Sequence, residues 1–396
     1  MLVFYESKTK FKTYNGKEIK TVQKQPTKGF YLTKPYEATE EQLIQYYKDL
    51  KKQLKELCEV TKLEYKKLSK INYSQLHATL FKICKGDKHV KYDTIEYYEY
   101  EFLEGCFNGG LNSCVKGNYN NVKAYDFKKF YANILAGDNT TKEIPIKKGI
   151  LKTIEALPEK LEYGIYRVKI TSYSENIFKL FAFNEQNYYT HTDIKFMREL
   201  SFSKNFDINI NLIQDNEPNA LIYNELIETK TIFIRYVKKL KEILTKYPDN
   251  KLCKTLLSGI WGKLSQKGAP IILTEEEYDD LENQDDYLLL DVKTELQNLE
   301  FIQKYKLIHK NRIQLSNYRL KTFLTSFGRV KMASKIKYKV NNVIRVCTDG
   351  VLFDSSINLK KLETNLKKLE TKEFIKDSKY YNKNITIITT NNITIN

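Results

Sequence analysis

The sequence predicts an α+β protein, with helical and strand-rich stretches segregated along the chain rather than alternating as regular repeats. Three observations predict this class. From Thr39, residues Leu43, Tyr47, Leu50, Leu54 and Leu57 recur at helical spacing. Residues 343–353, V-I-R-V-C-T-D-G-V-L-F, place Asp-Gly between two β-branched runs, a strong local signal for a β-hairpin. Between them, strand-like alternation at residues 163–170 gives way to long basic helices over 220–264. With 396 residues, 41% of them hydrophobic, and 30 Tyr and 20 Phe, the chain can bury a substantial core in two or three lobes.

Taken in order, residues 1–35 are basic and read as extended, with Pro26 and Pro35 as breakers. Thr39 is an N-cap candidate ahead of an acidic first turn, and further helical runs cover 62–71 and 73–84. An acidic, aromatic segment at 93–103 leads to Phe107-Asn108-Gly109-Gly110, where adjacent glycines let backbone approach a neighbour closely. Residues 121–126 alternate as a short strand that feeds a helix over 127–135. Asp126 thus stands at a strand end, where an acid can cap helix donors or serve chemistry. After the strand-rich region at 160–216 a helix is expected over 220–246, broken at Pro248. Another begins near Asn250, with Leu252, Leu256, Ile260 and Leu264 on one face and Lys254, Ser258, Trp261 and Ser265 on the other. Residues 275–286 form an acidic run, read as a charge-balancing surface insertion. A basic helix over 322–340 leads into the 343–353 hairpin. A Lys-rich helix over 359–369 and a small hairpin around Asn391-Asn392 finish the chain.

The formal charge of +17 implies a polyanionic partner, and because lysine is spread along the chain the basic surface belongs to folded lobes. Nucleic acid is the first candidate. An anionic membrane is the second, but no basic amphipathic segment stands out as an anchor, so no membrane partner is expected. With no apolar run of spanning length and no signal core, the protein is expected to be soluble and intracellular. The six cysteines form no C-x-x-C pair and read as free thiols.

Strand-end Asp126, the helix face bearing Lys254 and hairpin-tip Asp349 follow one another along the chain, and nucleotidyl transfer by a two-metal mechanism needs just these parts. Two carboxylates from different strands can hold a pair of divalent ions, and a helix-borne cation can meet a triphosphate. At these residues the chain resembles the family B DNA polymerases, and most of all their protein-primed branch, over residues of about 100–355. Tyr125-Asp126-Phe127-Lys128-Lys129-Phe130-Tyr131-Ala132 is similar to the family's motif A. Lys254-Thr255-Leu256-Leu257-Ser258-Gly259-Ile260-Trp261-Gly262-Lys263 is similar to motif B, and Cys347-Thr348-Asp349-Gly350 to motif C. Phe107-Asn108-Gly109-Gly110 resembles the Y-x-G-G element, and Thr192-Asp193 a region between motifs A and B.

The resemblance implies a polymerase palm with an antiparallel sheet, helical fingers, a helical N-terminal lobe and a reduced thumb. The parts would be an N-terminal lobe at 1–100, palm at 101–218 and 269–358, fingers at 219–268, and a thumb remnant with the final hairpin at 359–396. Asp126, Asp349 and the backbone carbonyl of Phe127 would hold two Mg²⁺ or Mn²⁺ ions, with Lys254 completing the catalytic set. Lys128, Lys129, Phe130, Tyr131, Lys254, Ser258 and Trp261 would bind a deoxynucleoside triphosphate, Tyr131 crowding the sugar 2′ position. Phe107, Gly109, Gly110, Gly262, Lys263, Thr348, Lys379 and Tyr381 would contact primer-template DNA. A priming protein or replicative helicase is a further expected partner, and a virus, plasmid or other mobile element the expected setting. The chain departs from the pattern at Cys347 and Gly350 in motif C, at Lys129 in motif A and at Ser258-Gly259 in motif B. It also lacks a paired acidic exonuclease motif near its start. The enzyme reading is a DNA-directed DNA polymerase without proofreading. The rival is a catalytically degenerate polymerase fold kept as a nucleic-acid-binding subunit.

Overall fold

The structure is a computed structural model that describes residues 2–5, 11–22, 30–31, 39–68, 73–85, 93–106, 109–137, 142–203, 206–263, 271–297, 300–309, 318–356, 374–376 and 379–395. The chain divides into two compact units. One comprises Met1–Val90, Leu135–Asn139 and Thr229–Lys263; the other comprises Lys91–Ile134, Thr140–Glu228 and Leu264–Asn396.

In the first unit the capping box expected at Thr39 is formed: Gln42 N donates to Thr39 Oγ1 at 3.3 Å, and Thr39 N to Gln42 Oε1 at 3.0 Å. The helix it starts, Glu40–Thr61, buries Leu43, Leu54 and Leu57. Helix Tyr73–Lys85 packs on helix Thr229–Lys246, with Phe81 and Phe233 rings 5.2 Å apart and His77 stacked on Tyr236 at 5.3 Å. Asn250 caps helix Lys251–Ser258 through its Oδ1 and ties it to the first helix, its Nδ2 donating to Gln53 O at 3.0 Å. The expected stripe of Leu252, Leu256 and Ile260 is buried; Lys254 and Ser258 are exposed. The stretch expected to be extended contains a four-stranded sheet, in the order Ile19–Val22, Phe11–Tyr14, Leu2–Tyr5, Phe30–Tyr31. Two corrections apply. The helix expected over 62–71 shrinks to Tyr65–Leu68 within the described residues. Finally, the helix expected from residue 220 begins only at Thr229, because Ala220–Ile222 and Leu226–Glu228 are strands of the second unit.

The second unit is built on a five-stranded antiparallel sheet, in the order Phe374–Lys376, Lys123–Phe127, Gly350–Phe353, Val343–Cys347, Asn112–Cys114. Two residues of strand Lys123–Phe127, Ala124 and Tyr125, are buried in succession, as befits a strand covered on both faces. Val122, Ala124, Ile344 and Leu352 pack with Ile385 and Ile387 of the C-terminal hairpin. A second sheet has the order Tyr188–Thr190, Gly164–Ser172, Ala220–Ile222, Ile150–Lys152. Helices His191–Ser201 and Tyr318–Ile336 pack on one another in the same unit. The acidic run is not an isolated loop. Its first part is helix Glu275–Asp279, which follows strand Ile271–Thr274 in a sheet completed by the long hairpin Tyr287–Gln297 and Glu300–His309. The helix expected over 359–369 lies outside the described residues.

Candidate active site

Asp126 and Asp349 are brought together by strand register. Asp126 pairs across the sheet with Gly350, so Asp349 lies one residue away, at the tip of the neighbouring hairpin. Phe127 N donates to Asp349 O at 2.8 Å, locking the end of one strand to the turn of the other. A Cβ on Gly350 would lie 3.5 Å from Asp126 Oδ1, so the carboxylate faces that turn. Burial pushes the Asp349 carboxyl above its ordinary range.

The turn's central residues are Thr348 and Asp349, because Cys347 already pairs with Gly350. Thr348 sits at φ +56°, a strained conformation for a β-branched residue. Two contacts hold it there. Thr348 N donates to Leu111 O at 2.8 Å, and the Thr348 side chain lies on the bare backbone of Gly110, where a Cβ would fall 2.5 Å from Thr348 Oγ1. Gly110 therefore serves the carboxylate turn directly. Gly109 differs: a Cβ there would meet nothing within 4 Å.

Downstream of Asp126 the chain turns through Lys129, at φ +53°, into helix Phe130–Ala136. Asn133 steadies the turn, its N donating to Lys129 O at 2.9 Å and its Nδ2 to Lys128 O at 2.8 Å. Lys128 is exposed. The Phe127 and Phe130 rings are buried 5.0 Å apart, with Lys331 Nζ 5.4 and 5.7 Å from their centroids. Tyr131 is buried beside Gly328, where a Cβ would lie 2.8 Å from its ring. Burial pushes its hydroxyl up to about 12; the Arg329 guanidinium opposes that shift and Asp349 adds to it.

Sequence reasoning missed two buried ion pairs on helix Tyr318–Ile336. Arg319 Nη2 meets Glu99 Oε2 at 2.7 Å, and Tyr223 donates to the same carboxylate at 2.9 Å. Arg329 Nη2 meets Asp193 Oδ2 at 2.9 Å while its Nη1 donates to Gly109 O at 2.8 Å. Asp193 also accepts from Thr190 Oγ1 at 2.9 Å. In the sequence Asp193 stands out only through the likeness of Thr192-Asp193 to a region between motifs A and B. The available signal was Arg319 and Arg329 in a basic segment whose other cations are all lysine, arginine being the cation suited to buried ion pairs.

The remaining expected site residues are dispersed. Lys254, Ser258 and Gly262 belong to the first unit, and the first two lie on an exposed helix face. Backbone is described at Trp261 and Lys263, but their side chains, like all of Phe107, lie outside the described residues. Lys379 Nζ stands 4.6 Å from the Tyr380 ring. Tyr381 packs edge-on against Tyr125 at 5.9 Å and carries Lys123 Nζ 5.1 Å from its centroid.

Among the described residues no group of three or more His, Cys, Asp or Glu forms a metal cluster. Asp126, Asp349 and the Phe127 carbonyl offer oxygen donors only. That set suits Mg²⁺, which keeps several waters and is commonly held by one or two carboxylates together with substrate phosphates. It also suits Mn²⁺. No described helix is long and apolar enough to cross a membrane.

No protein-family model matches the chain. A DNA polymerase of Kluyveromyces lactis is 25% identical over 199 residues, covering 46% of this chain and 19% of that protein. Phi29 DNA polymerase complexed with primer-template DNA superposes with a TM-score of 0.55 at 12% identity, covering 90% of this chain and 60% of the polymerase. The same polymerase complexed with single-stranded DNA gives 0.51 at 11% identity, covering 79% and 52%. This chain thus spans a little over half the length of the solved polymerase it matches, and its mixed helix-and-sheet architecture is that of a DNA polymerase fold.

Proposed function

We propose that this chain is a template-directed DNA polymerase of the protein-primed family B kind, replicating a virus, plasmid or other mobile element. The observation that carries the reading is the register that pairs Asp126 with Gly350 on the adjacent antiparallel strand, beside the turn that bears Asp349. Asp126, Asp349 and the Phe127 carbonyl would hold two Mg²⁺ or Mn²⁺ ions. When bound, such a pair activates a primer hydroxyl and neutralises the leaving pyrophosphate. Lys254 would meet the triphosphate, with Lys128, Lys129, Ser258 and Trp261 around the nucleotide and Tyr131 at the sugar. Phe130 would support Tyr131 from the core. Phe107, Gly109, Gly110, Thr348, Gly262, Lys263, Lys379 and Tyr381 would line the primer-template path. Thr348 and Gly110 act there mainly by fixing the carboxylate turn. A protein hydroxyl or an oligonucleotide would serve as primer, with a priming protein or helicase as partner.

Primer extension with Mg²⁺ or Mn²⁺ tests the proposal. Incorporation of deoxynucleotides is expected, with at least about a hundredfold loss in Asp349→Ala and Asp126→Ala while DNA binding persists. No excision of a mismatched primer terminus is expected from this chain. Cys347, standing where the family carries a carboxylate, favours the second reading of a nucleic-acid-binding subunit. Absence of incorporation on every primed template, with DNA binding intact, would establish that reading instead.

A further inference from the structure

Away from the carboxylates, the second unit carries a cleft of about 800 Å³ between the end of helix His191–Ser201 and the 3-10 segment Lys337–Asn342. Its rim carries two rings presented to solvent: Phe202 is 88% exposed and Tyr338 is 78% exposed. A third ring, the buried Phe206, also lines the cleft. Large rings left this open do not stabilise the fold, since their apolar surface stays in water.

The chemistry around the rings is specific. Tyr338 is flanked in sequence by Lys337 and Lys339, and both lysines line the cleft. The single acid among the described lining residues, Glu199, is already paired with Lys337. Lys179 reaches the same segment, its Nζ donating to Val340 O at 3.2 Å. Side-chain amides complete the lining, with Asn176 Nδ2 donating to Asn341 Oδ1 at 2.8 Å. Exposed rings, a lining with more cations than acids, and amides together make a base-stacking platform beside phosphate-binding groups.

We propose that this cleft is a second nucleic-acid site, separate from the carboxylates, that binds single-stranded DNA by stacking bases on Phe202 and Tyr338. Lys339 contacts phosphate, and the Asn341 amide meets base edges without strict sequence choice. Strand Val343–Cys347 begins directly after Asn342 and ends beside the Thr348-Asp349 turn, which puts the cleft roughly 20 Å from the catalytic carboxylates along that strand. A strand held there would leave or approach the polymerising centre without occupying it.

The test uses the whole chain and a photoreactive, iodouracil-substituted single-stranded oligonucleotide, with adducts mapped by mass spectrometry. Adducts on Phe202 and Tyr338 are expected. So is an affinity about tenfold lower in Tyr338→Ala and lower again in Phe202→Ala/Tyr338→Ala, with Tyr338→Trp close to wild type. Both rings are exposed, so unchanged thermal melting will show that the variants fold. Extension of a short primed template should be unaffected, and this separates failure here from failure of the polymerase reading. Adducts confined to other segments, or unchanged single-strand affinity in the folded double variant, would overturn the proposal.

Discussion

At the scale of single residues, the pivot is Thr348 lying on Gly110. Adding one methyl at Gly110 forces contact with Thr348, so Gly110→Ala should cost about 1–3 kcal/mol and displace the Asp349 turn. Extension should fall accordingly, and Thr348→Ala in the same chain should restore part of it by removing Oγ1 and Cγ2. Gly109→Ala, with open space around its Cβ position, should leave stability unchanged in denaturant titrations. A second residue-scale prediction concerns His191. Its Nδ1 lies 3.3 Å from Gly164 N, and burial, then Lys195, lower its pKa from 6.5 to about 4. The unfolded chain therefore takes up the proton first on acidification. Stability should fall as pH drops from about 6.5 towards 4, by at most about 3 kcal/mol from this group. Urea midpoints measured across that range should flatten in His191→Gln. Asp349 could be read from sequence because Asp-Gly turns have a local signature. The dependence of Thr348 on Gly110 could not, because it joins residues far apart in the chain through steric contact alone.

At the scale of elements, helix Tyr318–Ile336 carries two arginines into the interior, each matched to an acid from a different helix. Breaking the second pair with Arg329→Leu leaves the Asp193 charge buried and releases the Gly109 carbonyl. That should cost about 3–5 kcal/mol, and the paired change Asp193→Leu/Arg329→Leu should cost less than the single one. A double-mutant cycle in guanidinium checks this. Helices with a plain apolar stripe and a cap, such as Glu40–Thr61 and Lys251–Ser258, were legible. Residues 220–228 were not, because A-L-I-Y-N-E-L-I-E fits a helix locally and only pairing with Gly164–Ser172, Ile150–Lys152 and Glu143–Pro145 makes it strand. The hairpin Tyr287–Gln297 and Glu300–His309 escaped notice beside the acidic run, its alternation interrupted by a bulge between Leu289 and Asp291.

At the scale of the molecule, Asp126 and Asp349 were legible as candidates, and the sheet brings the turn bearing Asp349 against the end of the strand that carries Asp126. A net charge of +17 predicts binding that rests on phosphate contacts. Affinity for primed duplex should fall by on the order of a thousandfold between roughly 50 and 200 mM salt, as read from anisotropy titrations. The two-unit division has a consequence for synthesis. Helix Tyr73–Lys85 buries its rings against helix Thr229–Lys246, which the ribosome delivers roughly 150 residues and about 7–30 s later. Through that interval the second unit's strands at 112–228 emerge beside an unfinished apolar helix face. A nascent chain arrested before Thr229 should thus depend on a chaperone holdase, and one that includes strands Val343–Cys347 and Gly350–Phe353 should not.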